Sequence, residues 1–553
     1  MAANMIDQIM LLKISRHIEL DRLVPSRDKP GGRKVAYSFK WMPAFLFIFT
    51  LACSTTARAE IRLPPIKQDI DLSSVNRLYK SAAYRIDIKP AGSTDDHFQQ
   101  AFVFETRNDW VVRDYFNPDP ARRQDVKRPA DEVGHGKSDL RTASFSNMSF
   151  DEPVDVRVTL LDPGQHVDQV QIRPLRFAIP GRISPDRRSV TFTLDQPRKV
   201  SVEINGRLDP LFIFADTPDV PDLDATYYYG PGVHRIPGDG TLVLKSNERV
   251  YIAAGAIVEG RFRLQTGSSH ITIHGRGLLS GGAWPDLQTD SAWQVKHAAI
   301  YTTGSDHFLL DGLTFVQSTT WQVAMEDYSP RGDATHDNVY RDFNTVSWNG
   351  CTDGIWITGN DNQVQNVFIF NNDDAFVSKG GHNTTVSDAV FWGGTWGRFF
   401  LFFNTQGNTP PVENLTVENV DIIGKEAAPA MILFQNWAPT DKRPVKPTKS
   451  VTFRNIVVEE RRRPGNSNNS PSNPAHFIEL DTNVVPGAVS GLTFENIALD
   501  QVMPSEGELL GTPTSPIADV KFINITAGRR TLQGASDLPI TVNTNAHYSV
   551  NGD

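Results

Sequence analysis

Two short stretches of the chain hold the residues best suited to chemistry. Cys351-Thr352-Asp353-Gly354-Ile355-Trp356-Ile357 is followed by Asn371-Asn372-Asp373-Asp374-Ala375-Phe376-Val377-Ser378. Asp353 and Asp374 are 21 residues apart, and each opens a run of one small residue and then apolar ones. If that spacing is one turn of a repeating coil, the two carboxylates stack on one face, because adjacent strands lie about 4.8 Å apart. Asp373 adds a third acid at the strand edge. Three carboxylates this close do not all ionise together. Repulsion raises one pKa and leaves another group charged, which supplies an acid and a base at a single pH. Glycoside hydrolysis uses such a pair, while turn formation or calcium binding is the plainer use of the same residues. An acid one turn before an Asp-Asp puts catalysis ahead. Stacked neighbours fall short of the about 6.5–9.5 Å usual for inverting hydrolysis, and a diagonal pairing would be longer.

The elements that would position these acids are β-strands. A unit of the form x-Asn-apolar recurs at Asn366, Asn419, Asn455, Asn496 and Asn524, with Ser387-Asp388-Ala389 as a weaker copy. From Asn366 the successive spacings are 22, 31, 36, 41 and 28 residues. A minimum near 22 with irregular excess predicts a parallel β-helix whose insertions sit in the turns. Asn at a corner would hydrogen-bond its counterparts in adjacent rungs, and the general crossover rule makes the coil right-handed. Before this region, residues 60–225 show period-2 alternation, as in Val154-Asp155-Val156-Arg157-Val158-Thr159-Leu160, between turn residues such as Asn205-Gly206. That pattern predicts an antiparallel β-sandwich. The expected organisation is therefore all-β: residues 1–59 as leader and signal, 60–225 as sandwich, and 226–553 as right-handed parallel β-helix.

Thr-Asp-Gly followed one rung later by Asn-Asp-Asp resembles the signature of the β-helical inverting glycoside hydrolases. These are the family 49 dextranases and isopullulanases and, more distantly, the family 28 polygalacturonases. The resemblance covers about residues 227–553 and is strongest over 348–404, and a sandwich placed before the β-helix is also similar to family 49. It implies hydrolysis with inversion by three aspartates, here Asp353, Asp373 and Asp374, with no metal or other cofactor. By the same resemblance Asp374 would be the general acid, with Asp353 and Asp373 holding the attacking water. Two departures point away from pectin. Where polygalacturonases carry Gly-His-Gly this chain reads Gly394-Thr395-Trp396-Gly397, and an Arg-x-Lys clamp for the uronate has no counterpart in residues 428–435. Lys379, His382 and Arg398 remain as replacements for that clamp. The expected substrate is an α-linked glucan of dextran or pullulan type, cut internally. The alternatives are a polygalacturonase with a remodelled uronate site, a calcium-dependent polysaccharide lyase, and a non-catalytic carbohydrate-binding β-helix.

Six of the ten Trp fall within residues 321–437, around the acids. Exposed rings stack on apolar sugar faces, so Trp348, Trp396 and Trp437 are candidate platforms. Trp356 is a weaker candidate, because it and Trp392 sit in strand-like runs that read equally as core. Asn404, Gln406 and the Gln435-Asn436 pair could bond sugar hydroxyls. Phe399, Phe400, Phe402 and Phe403 read as core stacks.

Composition bounds the partners. The 553 residues are 39% hydrophobic and 22% charged, with two Cys and a formal charge of −9. That excludes a disordered chain, a disulfide scaffold and a surface built for nucleic acid. Arg33, Lys34 and Lys40 precede the apolar run 41–53 and then Ala57-Arg58-Ala59, the pattern of a secretory signal too short to span a bilayer. Removal of residues 1–59 takes away nine basic and four acidic residues and leaves a net charge of −14. The expected product is a secreted or periplasmic monomer, free of the membrane once its signal is gone. Its partner is a polysaccharide, and its charge would repel a polyanion.

Overall fold

The computed structural model describes residues 60–552 apart from 95–96, 108–110, 114–124, 128–141, 208, 285–296, 330, 349–350, 394–396, 404–408, 425–429, 436–445, 461–475 and 483–486. The leader and signal expected over residues 1–59 lie outside the described residues.

Two larger sheets, beside a two-stranded pairing of Val111–Arg113 with Asp125–Lys127, form the N-terminal part among the described residues. One runs Val170–Arg173, Lys199–Ile204, Leu211–Asp216, Thr142–Phe150, Phe104–Arg107, Tyr79–Lys80, with Ile61–Arg62 paired to Thr142–Phe150. The other runs Arg182–Ile183, Ser189–Leu194, Val154–Leu160, Tyr84–Pro90, Gln99–Ala101. In Val154–Leu160 every second residue is buried, so the alternation seen in the sequence is the alternation of faces. One pairing departs from the antiparallel expectation, since Leu211–Asp216 runs parallel to Thr142–Phe150. That strand reads Leu-Phe-Ile-Phe-Ala-Asp and is buried throughout. Leu211, Ile213 and Ala215 face the sandwich core, while Phe212 and Phe214 pack on Phe368, Phe370 and Trp392 of the following domain. A strand covered on both faces has no polar side to alternate with.

From Tyr227–Tyr229 onward thirty strands form one continuous sheet among the described residues. Most pair in parallel one rung on, three strands along in the earlier rungs and two in later ones, while Thr526–Ala527 pairs antiparallel with Arg530–Thr531. Three ladders show the coil. Val339–Arg341 pairs with Gln363–Gln365 and then Thr385–Ser387. Asn344–Val346 pairs with Phe368–Asn371 and then Val390–Gly393. Ile355–Thr358 pairs with Phe376–His382 and then Phe400–Phe403. Inward residues from all three faces merge into one core, in which Phe402 stacks on Phe434 at 4.4 Å and Phe453 on Phe494 at 5.1 Å. Phe399 and Phe400 are buried as expected, and the side chain of Phe403 lies outside the described residues.

The predicted asparagine corner is present. Asp342, Asn366, Asp388, Asn419, Asn455, Asn496, Asn524 and Asn551 all have φ between 50° and 59°, a region that Asn and Asp enter more cheaply than other residues bearing a Cβ. Their amides bond rung to rung. Asn366 Nδ2 donates to Asp342 (2.6 Å), Asn455 to Asn419 (3.1 Å), Asn496 to Asn455 (3.0 Å) and Asn524 to Asn496 (2.7 Å).

Candidate active site

The strands Ile355–Thr358 and Phe376–His382 begin just after Asp353 and Asp374, and their register sets Asp353 beside Asp374 and Asp374 beside Arg398. Gly354 N–H donates to the Asp374 carbonyl (2.8 Å), and Ala375 N–H donates to that of Arg398 (2.8 Å). The motif residues around the acids are scaffold. A Cβ on Gly354 would sit 2.5 Å from the Ala375 carbonyl oxygen, and one on Gly397, where φ is +67°, would sit 2.0 Å from the Asp373 carbonyl carbon. Asn371 Nδ2 donates to the carbonyls of Thr352 and Asp374, and Asn372 Nδ2 to that of Trp348. The Asn-Asn before the acids thus ties one rung to the previous one.

One carboxylate oxygen from each of Asp353, Asp373 and Asp374 lies within 4.8 Å of the others. Asp353 and Asp374 are buried, and Asp373 is half-buried. Burial, and then the neighbouring Asp373 and Asp374 charges, push the Asp353 carboxyl well above its ordinary range, against a smaller opposing pull from Arg398. Arg398 contacts Asp374 twice. Its backbone N–H donates to Oδ1 at 2.5 Å, and its guanidinium lies 3.6 Å from the same oxygen. Asp353 is thus the carboxyl pushed up, whereas Asp374, which the resemblance implies as the acid, faces Arg398. The reason is local: Asp374 has donors and a cation against it, whereas Asp353 has burial and two acids. Three close oxygens could also hold a divalent cation, but a calcium ion needs six to eight and Arg398 already supplies positive charge here.

The other expected contacts divide. Arg398 belongs to the cluster. Trp348 does not form a platform: it is 1% exposed, its Nε1 donates to Thr106 (3.0 Å), and its ring meets Phe370 edge-on at 4.9 Å, within the apolar seam against the sandwich. Trp356 is also buried, stacked on Trp321 at 4.4 Å. Lys379 sits at a bulge, where Ile357 pairs with Ser378 but Thr358 pairs with Gly380. The extra residue turns its side chain over the Trp356 ring and into an ion pair with buried Glu326 at 2.8 Å. His382 stands at the far end of the same strand, 3.2 Å from Glu413. Neither base reaches the acids as a free clamp. Trp396, Asn404, Gln406 and Trp437 lie outside the described residues.

Sequence reasoning passed over Glu326. Tyr301 donates to it at 2.9 Å and Tyr328 also bonds it. Burial, and then the carboxylate, raise both phenols above their usual range. Tyr301, Ala324, Trp356, Val377, Leu401 and Leu433 line up across successive strands on this outer face. A one-residue register count of the outward positions would have found the row.

No family model and no curated sequence matches the chain. Among solved structures it is similar to Dex49A from Penicillium minioluteum, a family 49 dextranase, with 18% identity, 88% of this chain and 96% of that one covered, and a TM-score of 0.67. The chain shares the fold of that structure, a parallel β-helix. The superposition spans so much of the chain that it takes in both the sandwich and the β-helix. Looser matches are the family 28 exopolygalacturonase of Yersinia enterocolitica (12% identity, 71% and 97% covered, TM-score 0.33) and the catalytic domain of a GH87 alpha-1,3-glucanase (10%, 86% and 89%, 0.36).

Proposed function

We propose that this chain is a glycoside hydrolase that cleaves an α-linked neutral glucan of dextran or pullulan type, internally, by acid–base hydrolysis with inversion. The observation that carries the reading is the carboxyl trio, in which the Asp353 carboxyl is pushed up beside two further carboxyls. The shared fold with a family 49 dextranase supports hydrolysis of a glycan. Asp353 holds the proton for the leaving oxygen, and half-buried Asp373 is placed to take one from water. A neutral substrate fits the bases near the acids. Lys379, His382 and Arg398 each face a carboxylate of the protein itself, so none offers the unopposed charge that would grip a uronate. The signal-like segment at 41–59 supports export to the periplasm or the medium as a soluble monomer.

A panel of dextran, pullulan, polygalacturonate and bacterial periplasmic glucan, read by new reducing ends, tests the substrate. Cleavage of polygalacturonate alone overturns it, and unsaturated products absorbing in the ultraviolet would mean a lyase. Full activity in both Asp353→Asn and Asp373→Asn would remove the trio from catalysis. The stereochemistry has a second reading, because oxygens within 4.8 Å lie nearer the about 5–5.5 Å of retaining enzymes. The anomer first released, followed by proton NMR, decides between them.

A further inference from the structure

A cavity of about 530 Å³ lies between the sandwich and the early rungs of the β-helix, within the about 300–1,000 Å³ of sites that hold small molecules. The sandwich lines it with Asn147 and Asp216, and the β-helix with Tyr228, Tyr251, Arg276 and Asn344. No lining residue belongs to the carboxyl trio or to the two strands that follow those acids. The Nδ2 atoms of Asn147 and Asn344, one from each domain, both donate to Thr314 Oγ1, at 3.0 and 3.2 Å. Their Oδ1 atoms have no hydrogen-bond partner among the described residues, and neither do Asp216 Oδ1 and Arg276 Nε. Asp216 Oδ1 lies 3.4 Å from buried Lys199 Nζ without a hydrogen bond between them. Arg276 gives another nitrogen to Asp311 at 3.1 Å. Three acceptors and one donor around the cavity are therefore unspent. Such atoms are rare and costly in a folded protein, so a polar group arriving in the cavity meets side chains that gain by turning to it. Of the lining rings, Tyr228 is exposed and stacks on buried Tyr251 with centroids 5.4 Å apart. The Tyr251 hydroxyl donates to Asp219, a further lining residue, at 2.8 Å.

We propose that this cavity is a binding site for a neutral saccharide, separate from the carboxyl trio. A hydroxyl both donates and accepts. One kind of ligand group therefore answers Asn147, Asn344 and Asp216 as acceptors and Arg276 as a donor. A cation answers only the acceptors and is opposed by Arg276 and Lys199. An anion answers only the donor and is opposed by Asp216 and Asp219. The exposed Tyr228 ring adds a flat apolar surface for the carbon face of a sugar. Because the polar side chains come from both domains, a bound sugar also ties the sandwich to the β-helix. The site holds a sugar and does not cut it, so it stands whether or not the trio is hydrolytic.

The test titrates the whole protein by calorimetry with maltotriose and isomaltotriose, and with a galacturonic acid trimer and a glucosamine trimer as charged counterparts. The neutral trimers should bind at a site that Tyr228→Ala and Asn147→Ala each weaken by on the order of tenfold. Both variants should keep the parent's rate on polysaccharide per folded molecule. Tyr228 is exposed, so Tyr228→Ala keeps the fold even if Asn147→Ala loosens it. The neutral trimers should also raise the melting temperature of the parent more than that of either variant. Asp353→Asn should bind at this site as the parent does, which reads the cavity independently of any hydrolysis. No binding by the unsubstituted protein, or binding equal in the parent and both variants, overturns the site. Tighter binding of either charged trimer than of the neutral ones overturns its ligand class.

Discussion

Two columns of side chains run up this β-helix, and both contain aspartates one rung apart from a polar partner. In the asparagine column, Asp342 accepts the Asn366 amide and Asp388 accepts the Asn419 amide, so each carboxylate meets a donor from the next rung. In the other, Asp353 meets Asp374 and Asp373. The repeat that brings donor to acceptor in one place brings acid to acid in the other. A satisfied carboxylate stabilises the coil. A frustrated one is pushed above the ordinary carboxyl range, and that is the property catalysis needs. Residue type does not separate the columns, but the partner one rung away does.

Breaking the frustrated column should have the largest effect on activity and the smallest on folding. Asp353→Asn removes the raised carboxyl and is expected to cost about 10²–10⁴-fold in rate, with a melting temperature equal to or above that of the parent because a buried carboxyl beside two others is gone. If Asp353 is the acid, a glycosyl fluoride, which needs no protonated leaving group, should recover most of the lost rate. Equal losses on fluoride and polysaccharide would return the acid's role to Asp374.

The satisfied column should show the reverse. Asn455 makes two rung-to-rung hydrogen bonds at φ 54°. Asn455→Ala should cost about 3–4 kcal/mol, from two bonds of about 1 kcal/mol each and a left-handed backbone cost of about 1–2 kcal/mol. Asn455→Gly, which tolerates that φ, should cost only the bonds. Rate per folded molecule should not change in either variant, and a changed KM would mean that the columns are coupled.

Arg398→Gln sharpens the electrostatics. It keeps the backbone donor to Asp374 but removes the Arg398 charge that opposes the raised Asp353 carboxyl. That carboxyl should climb further, so the basic limb of the pH–rate profile should move up by on the order of one unit. A downward move would show that Arg398 acts by position and not by charge.

The junction with the sandwich holds a third kind of carboxylate. Burial, partly offset by Arg176 at 2.6 Å, pushes Asp421 up to about 7. The folded form then keeps a proton that the unfolded chain gives up near pH 3.8. Its contribution is therefore fully present below that value and is lost as pH rises toward 7. Melting temperature should fall over that window, and Asp421→Asn should flatten the fall. The smallest effect belongs to Trp348→Phe, which gives up the bond to Thr106 for about 1 kcal/mol. It should leave KM alone, whereas a rise in KM would restore the ring as a sugar platform.

Much of this was legible in the chain. The spacings of Asn366 through Asn524 gave the coil, and the 21 residues between Asp353 and Asp374 gave the cluster, because a rung fixes length and length fixes stacking. Trp348, Lys379 and His382 were misplaced for one shared reason. Which way a side chain faces depends on a bulge at Lys379, on a sandwich strand that covers the outer face near Trp348, and on which end of a strand His382 occupies. None of these leaves a mark at the residue itself.

The sequence by itself determined the repeat, its left-handed asparagine corners and the identity of three acids, since these follow from local backbone preference and a constant rung. Only the tertiary structure decided which carboxyl is pushed up and which aromatic rings are core. Burial and charge neighbourhood are sums over elements far apart in the chain.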